Sequence, residues 1–380
     1  MSSPEVVSVA MPKWGLSMRS GKITEWLVAP GDEVSPGGDL ADIETEKITG
    51  TLEAADAGTV RRIIARVGED VPVSGTIALI APAEVGDDAL DAAVAQARAV
   101  IDAGVPDDAA GAPELQTADV GGRKISYAGA GQDGEVILLV HGYGGDRNSW
   151  LFLQEPLAAK YRVYALDLPG HGTSAKDVGD GTLGVLADAV TGVLDAVLIS
   201  GGADRAHLVG HSLGGAVALA VAAGDPGRIA SLTLIAPAGF GPEINAGYLR
   251  GFADAQTRRE LKPVVGQLFA DESLVTRQVV DDLLGYKRLD GVDEALHTLL
   301  GLLLDGDHQR TDSIAARAAI GGTTPVSVVW GVADRVIPAA QAESVTGAVR
   351  YLVDGAGHMP HMERPAQVQA AIEETIARAG

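Results

Sequence analysis

Residues 208–224 read Leu-Val-Gly-His-Ser-Leu-Gly-Gly-Ala-Val-Ala-Leu-Ala-Val-Ala-Ala-Gly, an uncharged run approaching the length of a membrane span. The polar His and Ser and the clustered glycines argue for another reading. A short apolar strand, Ala206–Gly210, runs into Gly210-His211-Ser212-Leu213-Gly214, and a stretch of small helix-compatible residues follows. This is G-x-S-x-G in its strand–turn–helix setting, where glycine at both ends lets the turn close tightly and lifts the serine to the helix N-terminus. A chain with such a turn is committed to strands that feed helices.

A serine hydroxyl is a poor nucleophile until a base takes its proton, so an orienting carboxylate and a histidine are expected further on. Asp334 follows the apolar strand Val-Ser-Val-Val-Trp-Gly, and His358 follows Arg-Tyr-Leu-Val-Asp-Gly. His361 is the rival base; His358 is preferred because it stands in the loop directly after its strand. His141 and His171 read as residues that hold loops, and His211 fills the variable position of the turn. Asp167 precedes the serine and reads as structural. Oxyanion stabilisation needs backbone N–H groups, which Leu213 and, in the loop His141-Gly142-Tyr143-Gly144-Gly145, Tyr143 would supply.

From about residue 120 apolar strands alternate with helical segments, which implies a mainly parallel sheet covered on both faces. Its functional loops then lie at the carboxyl ends of the strands. With HGYGGDRNSW, DLPGHGTSAKD, VGHSLGGAVALA, WGVADRVIP and GAGHMPHMERP, residues 120–380 resemble the α/β-hydrolase superfamily. The resemblance places a helical cap at about 240–320.

The first 82 residues contain an internal repeat at an offset of 37 residues: Gly21 falls on Gly58, Ile23 on Val60, Leu27 on Ile64, Val34 on Val71 and Ile43 on Ile80. Each copy reads as short period-2 strands, so two copies predict a small all-β sandwich with a pseudo-two-fold axis. Between them Ile43-Glu44-Thr45-Glu46-Lys47-Ile48-Thr49 reads as a protruding hairpin. The opening MPKWGLSM, this hairpin and EAADAGTVRRI resemble the lipoyl domains of 2-oxo acid dehydrogenase complexes. That resemblance makes Lys47 the attachment point of lipoate; biotin carriers place Met on both sides of the lysine, whereas Lys47 has Glu46 and Ile48.

Residues 83–118 hold eight acidic residues against one Arg and read as an extended acidic linker. Leu90, Val94, Ala97 and Ile101 mark a possible short helix within it, packed on its own globular domain. The domains are thus expected as 1–82, 83–118 and 119–380. Across the chain, 51 acidic against 29 basic residues give a net charge of −22, which argues against nucleic acid and anionic membranes as partners. With no cysteine, a disulfide scaffold and a thiolate-ligated metal site are excluded. No basic leader with an apolar core opens the sequence, and a cytoplasmic protein is the expectation.

Taken together, a lipoyl-type domain followed by a hydrolase-type domain resembles the dihydrolipoamide acetyltransferase subunits of acetoin dehydrogenase complexes. The His-x-x-x-Asp-Gly signature of ordinary acyltransferase subunits is missing: Asp305-Gly306 has Gly301 where the histidine would stand. The resemblance implies lipoate on Lys47, coenzyme A as co-substrate, and an acetoin-cleaving thiamine-diphosphate-dependent enzyme and dihydrolipoamide dehydrogenase as partners, with homo-oligomers left open. Arg258, Arg259 and Lys262 are cationic candidates for the CoA phosphates, against the plainer reading of a solvated face. A tethered thioesterase or esterase, and a carrier with a silent hydrolase fold, stay open as alternatives.

Overall fold

A computed structural model describes residues 6–12, 18, 20–45, 49–104, 114–310, 312–320 and 324–380. The chain divides into two units, Met1–Ala112 with Ser273–Asp281, and Pro113–Glu272 with Asp282–Gly380.

In the first unit the strands are β1 (Val7–Ala10), β2 (Ser20–Trp26), β3 (Glu33–Val34), β4 (Asp39–Glu44), β5 (Thr49–Glu53), β6 (Gly58–Ile63), β7 (Asp70–Pro72) and β8 (Thr76–Ile80). They form two four-stranded sheets, β1-β8-β6-β3 and β5-β4-β2-β7. The repeat explains the exchange: β3 of the first copy pairs with β6 of the second, and β7 of the second pairs with β2 of the first. Matched residues therefore build matched clusters. Ile23 and Ile43 enclose Val71 in one, while Val60 and Ile80 enclose Val34 in the other. The symmetry fails at Leu27, 43% exposed, whose counterpart Ile64 is 6% exposed.

The cause of that asymmetry is α1 (Asp87–Ala103), which lays Leu90, Ala97 and Ile101 against Ile64 and Ala65. It is the short helix expected within residues 83–118, packed on its own domain. The apolar stripe of this segment is long enough to fold as 17 helical residues on the β-sandwich, and Asp87, Asp91 and Asp102 among its acids are paired. Arg62 meets Asp87 at 2.8 Å and Asp91 at 3.2 Å, and Arg98 meets Glu69 at 2.7 Å. Residues 105–113 lie outside the described set, and Glu114 already belongs to the next strand.

In the second unit β9 (Glu114–Val120), β10 (Arg123–Ala130), β11 (Val136–Val140), β12 (Arg162–Leu166), β13 (Ala206–His211), β14 (Ile229–Ile235), β17 (Val326–Gly331) and β18 (Val349–Val353) form one sheet in the order β18-β17-β14-β13-β11-β12-β10-β9. The six strands from β18 to β12 are parallel, and β10 and β9 close the far edge antiparallel. The two strands omitted from that count, β15 (Leu304–Asp305) and β16 (His308–Gln309), make a separate hairpin. The helices α2 (Leu151–Ala158), α3 (Leu183–Gly201), α4 (Leu213–Gly224) and, at the end of the chain, α11 (Pro365–Ala377) pack on the sheet. Helix α3 is apolar enough to cross a membrane by length and composition. Its Leu186, Val190, Val193, Leu194 and Val197 are buried in this unit, which accounts for the apolarity.

Between β14 and β17 the chain runs through α5 (Ala246–Asp254), α6 (Arg258–Val265), α7 (Arg277–Lys287), α8 (Val292–Leu303), the hairpin and α9 (Asp312–Ala319), while α10 (Pro360–Glu363) precedes α11. This helical insertion occupies the interval expected for a cap.

Candidate active site

Ser212 follows the last residue of β13 and precedes α4, with φ 53° and ψ −117°. A non-glycine residue at positive φ is uncommon and is retained where the surroundings enforce it. Here the enforcement is steric. A Cβ on Gly210 would meet the Gly215 Cα at 2.8 Å, and one on Gly214 would strike the carbonyls of Val140 and His141. Ser212 N–H donates to the Ile235 carbonyl at 2.9 Å, and its own carbonyl accepts from Ala238 N–H at 3.0 Å. The strand–turn–helix junction is therefore held from both sides, with the serine 8% exposed.

Asp334 and His358 come from the loops after β17 and β18, and His358 Nδ1 lies 2.8 Å from Asp334 Oδ2, both side chains almost fully buried. A carboxylate can only accept, so Nδ1 carries the proton and Nε2 is left as the basic nitrogen. The carboxylate is itself fixed: Trp330 Nε1–H donates to Oδ2 at 3.0 Å, and the N–H groups of Val336 and Ile337 donate to Oδ1 at 2.7 and 2.9 Å. His361 makes no comparable contact; among the described residues neither of its buried ring nitrogens has a hydrogen-bond partner, and its ring lies 4.8 Å from that of Trp150. The hydroxyl of Ser212 takes no hydrogen bond among the described residues. Such contacts often tighten only when substrate is bound.

Tyr143 sits in the loop after β11, where Gly142 lies against the serine turn: a Cβ there would be 3.0 Å from Ser212 Cβ. Tyr143 and Leu213 are 7% and 1% exposed, and among the described residues neither backbone N–H has an acceptor. Leu213 is the first residue of α4, where N–H groups lack an intrahelical partner, and a donor left open in this way can meet an acceptor that a ligand supplies. The loop is set by two histidines. His141 Nε2 accepts from Leu168 N–H at 2.9 Å, and His171 Nε2 accepts from Gly144 N–H at 3.0 Å. Asp167, fully buried, pairs with Arg147 and accepts from Thr173 N–H at 2.8 Å, so it clamps two loops together.

Two residues that motif reading passes over tie these loops to the cap segment 266–272. Glu363, 8% exposed, accepts from Gly357 N–H at 2.6 Å and from Ala270 N–H at 2.8 Å. Arg335, beside Asp334, donates to the carbonyls of Gly266 at 2.7 Å and Phe269 at 2.6 Å. Their roles depend on backbone groups distant in sequence, which no spacing rule reveals.

The chain carries the sequence pattern of the alpha/beta hydrolase family over residues 137–371 and that of biotin-requiring enzymes over 7–80. It is 46% identical, over 98% of both chains, to the dihydrolipoyllysine-residue acetyltransferase component of the acetoin cleaving system of Cupriavidus necator. The component of the same name from Pseudomonas putida is 45% identical over 96% of both chains. This chain belongs to that family. Among solved structures, the 2-hydroxy-6-oxo-6-phenylhexa-2,4-dienoate hydrolase of a Rhodococcus species aligns with a TM-score of 0.60 at 20% identity, over 70% of this chain and 99% of that one. At that identity the likeness establishes the fold.

The lysine expected to carry lipoate, Lys47, lies with Glu46 and Ile48 outside the described residues. The strands flanking it are described: β4 and β5 pair antiparallel, ending at Glu44 opposite Thr49, both exposed. Arg258, Arg259 and Lys262 lie on the exposed side of α6, whose Leu261 and Val265 turn inward.

The buried histidines give this family member a pH signature. Burial pushes His171 and His361 from 6.5 down to about 3. The unfolded chain therefore takes up these protons below about pH 6.5 while the folded chain does not, so the stability they confer is full above that value and lost as pH falls toward 3. Each contributes a slope of about 1.4 kcal/mol per pH unit. Asp146, pushed up to about 6 by burial and then by Asp167, offsets one of them. Denaturant melts should show stability declining from about pH 6 to 5, with a shallower decline in His361→Leu; equal slopes in the two proteins would contradict this assignment.

Proposed function

We propose that the chain is the acetyltransferase subunit of an acetoin-cleaving system, moving an acetyl group from a lipoyl arm to coenzyme A. The observation that carries this is the 46% identity to an acetyltransferase component that extends over 98% of both chains. Lipoate amide-linked to Lys47 supplies a dithiol able to carry an acetyl group as a thioester. We assign Ser212 as nucleophile, His358 as base and Asp334 as the group that orients it, with the N–H groups of Tyr143 and Leu213 as oxyanion donors. Ser212 Oγ attacks the thioester carbonyl as His358 Nε2 takes its proton, and the tetrahedral oxyanion forms against the two N–H groups. The C–S bond breaks, His358 returns the proton to the departing thiolate, and an acetyl ester remains on Ser212. The CoA thiol then gives its proton to His358 and its sulfur takes the acetyl group, restoring the serine. Exclusion of water by the cap decides between transfer and hydrolysis.

Tethering makes delivery intramolecular, at a high effective concentration. On this reading the donor is charged by an acetoin-cleaving thiamine-diphosphate-dependent enzyme and the dithiol reoxidised by dihydrolipoamide dehydrogenase, in the cytoplasm. The purified protein, given acetyl-dihydrolipoamide and CoA, should form acetyl-CoA in large excess over acetate; predominant acetate would replace the transferase reading with a thioesterase. Intact mass should show a lipoyl adduct that Lys47→Arg removes, and flux through the assembled system should fall to background in that variant while transfer from free acetyl-dihydrolipoamide persists.

A further inference from the structure

Ser212 and His358 are joined by more than the chemistry proposed for them. His211, 4% exposed, is the last residue of β13 and directly precedes Ser212. Its Nε2 lies 2.9 Å from the backbone carbonyl oxygen of His358, a contact across 147 residues of sequence. A carbonyl can only accept, so Nε2 bears the proton and donates. The ring also stands against the loop that holds Tyr143: a Cβ on Gly142 would lie 2.9 Å from His211 Nδ1. Its centroid is 4.8 Å from the His358 ring and 4.6 Å from the His361 ring. One residue thus adjoins Ser212 through its peptide bond, and its ring bonds the main chain of the base and lies against the Gly142 loop.

We propose that His211 is a positioning residue, whose Nε2–H fixes the main chain of His358 so that the base is aimed at Ser212. This rests on the serine reading above. Among the described residues Asp334 is the one side chain that hydrogen-bonds the His358 imidazole, at Nδ1, so the aim of Nε2 also depends on where the His358 backbone stands. The bond from His211 fixes that backbone. It does so without adding charge, because burial, then the neighbouring His361 and His358, pushes the His211 titration well below its ordinary value. A neutral ring beside His358 does not oppose the positive charge that His358 acquires on taking a proton.

The test uses the full chain with acetyl-dihydrolipoamide and CoA. His211→Phe keeps a ring and loses the donor; kcat should fall about 10- to 100-fold with KM for the thioester within about 3-fold. His211→Gln restores a side-chain N–H and should recover most of that loss. Native kcat in the Phe variant, or a Gln variant as slow as Phe with both folded, overturns the proposal. Should the Phe variant not fold, 15N spectra of histidine-labelled protein decide. A neutral imidazole protonated at Nε2 and absent from His211→Gln supports the positioning bond, and protonation at Nδ1 overturns it. Ser212→Ala with undiminished transfer would instead remove the serine reading, a separate outcome.

Discussion

Ser212→Ala is expected to lower CoA-dependent acetyl transfer by about ten-thousand-fold or more while leaving the protein folded. The fold should survive because the strained turn is imposed by backbone, through the close approach of Gly210 to Gly215 and of Gly214 to the carbonyls of Val140 and His141. Alanine accepts the same φ of 53° as serine does and loses only the hydroxyl. On the proposed assignment activity should fall because the N–H groups of Tyr143 and Leu213 would stabilise an oxyanion only once something attacks the carbonyl. Direct attack by the CoA thiol, with His358 as base, is the bypass that the variant exposes. Transfer within about 10-fold of native would show that the bypass is the main route. Steady-state rates of acetyl-CoA formation, read beside a thermal melt, separate loss of chemistry from loss of fold.

Asp334→Asn should cost nearly as much, about ten-thousand-fold in kcat, for a reason visible in the hydrogen bonds. Oδ1 of Asp334 accepts from two backbone donors, Val336 at 2.7 Å and Ile337 at 2.9 Å. An asparagine placed there keeps its carbonyl oxygen on those donors and turns its NH₂ toward His358 and Trp330. His358 Nδ1 would then have to accept, moving the ring proton to Nε2 and removing the base from the side that faces the reaction. KM should change little, because the carboxylate is buried behind the histidine. A variant with kcat within about 10-fold of native would mean that Asp334 holds the loop without governing the tautomer.

The legibility of this molecule in its sequence was uneven, for identifiable reasons. The β-sandwich was readable because duplication marks equivalent positions, and Ile23, Val34, Ile43 and their counterparts do form two matched clusters. The parallel sheet was readable because its strands are apolar on both faces and each ends in a loop. Ser212, Asp334 and His358 stand at such ends, so local context singles them out, and the last two lie 2.8 Å apart. Within 83–118 the helix was legible in the stripe Leu90, Val94, Ala97 and Ile101 and its end in Gly104, whereas the pairing of Arg62 with Asp87 and of Arg98 with Asp102 was not, since composition does not show which charges meet. Glu363, Arg335 and the His211 bond were beyond reach, since each acts on main-chain atoms that only tertiary structure brings near. His171 was legible as a loop-holding residue, but its target, Gly144 N–H, was not.

The central claim is that an acetyl group passes through Ser212 on its way to coenzyme A. Rapid mixing of the full-length protein with acetyl-dihydrolipoamide in the absence of CoA, followed by acid quench and peptide mass analysis, addresses it directly. One added acetyl group on the peptide carrying Ser212, discharged to acetyl-CoA when CoA is supplied before the quench, is the predicted result. An unmodified peptide in an enzyme that still makes acetyl-CoA would contradict it.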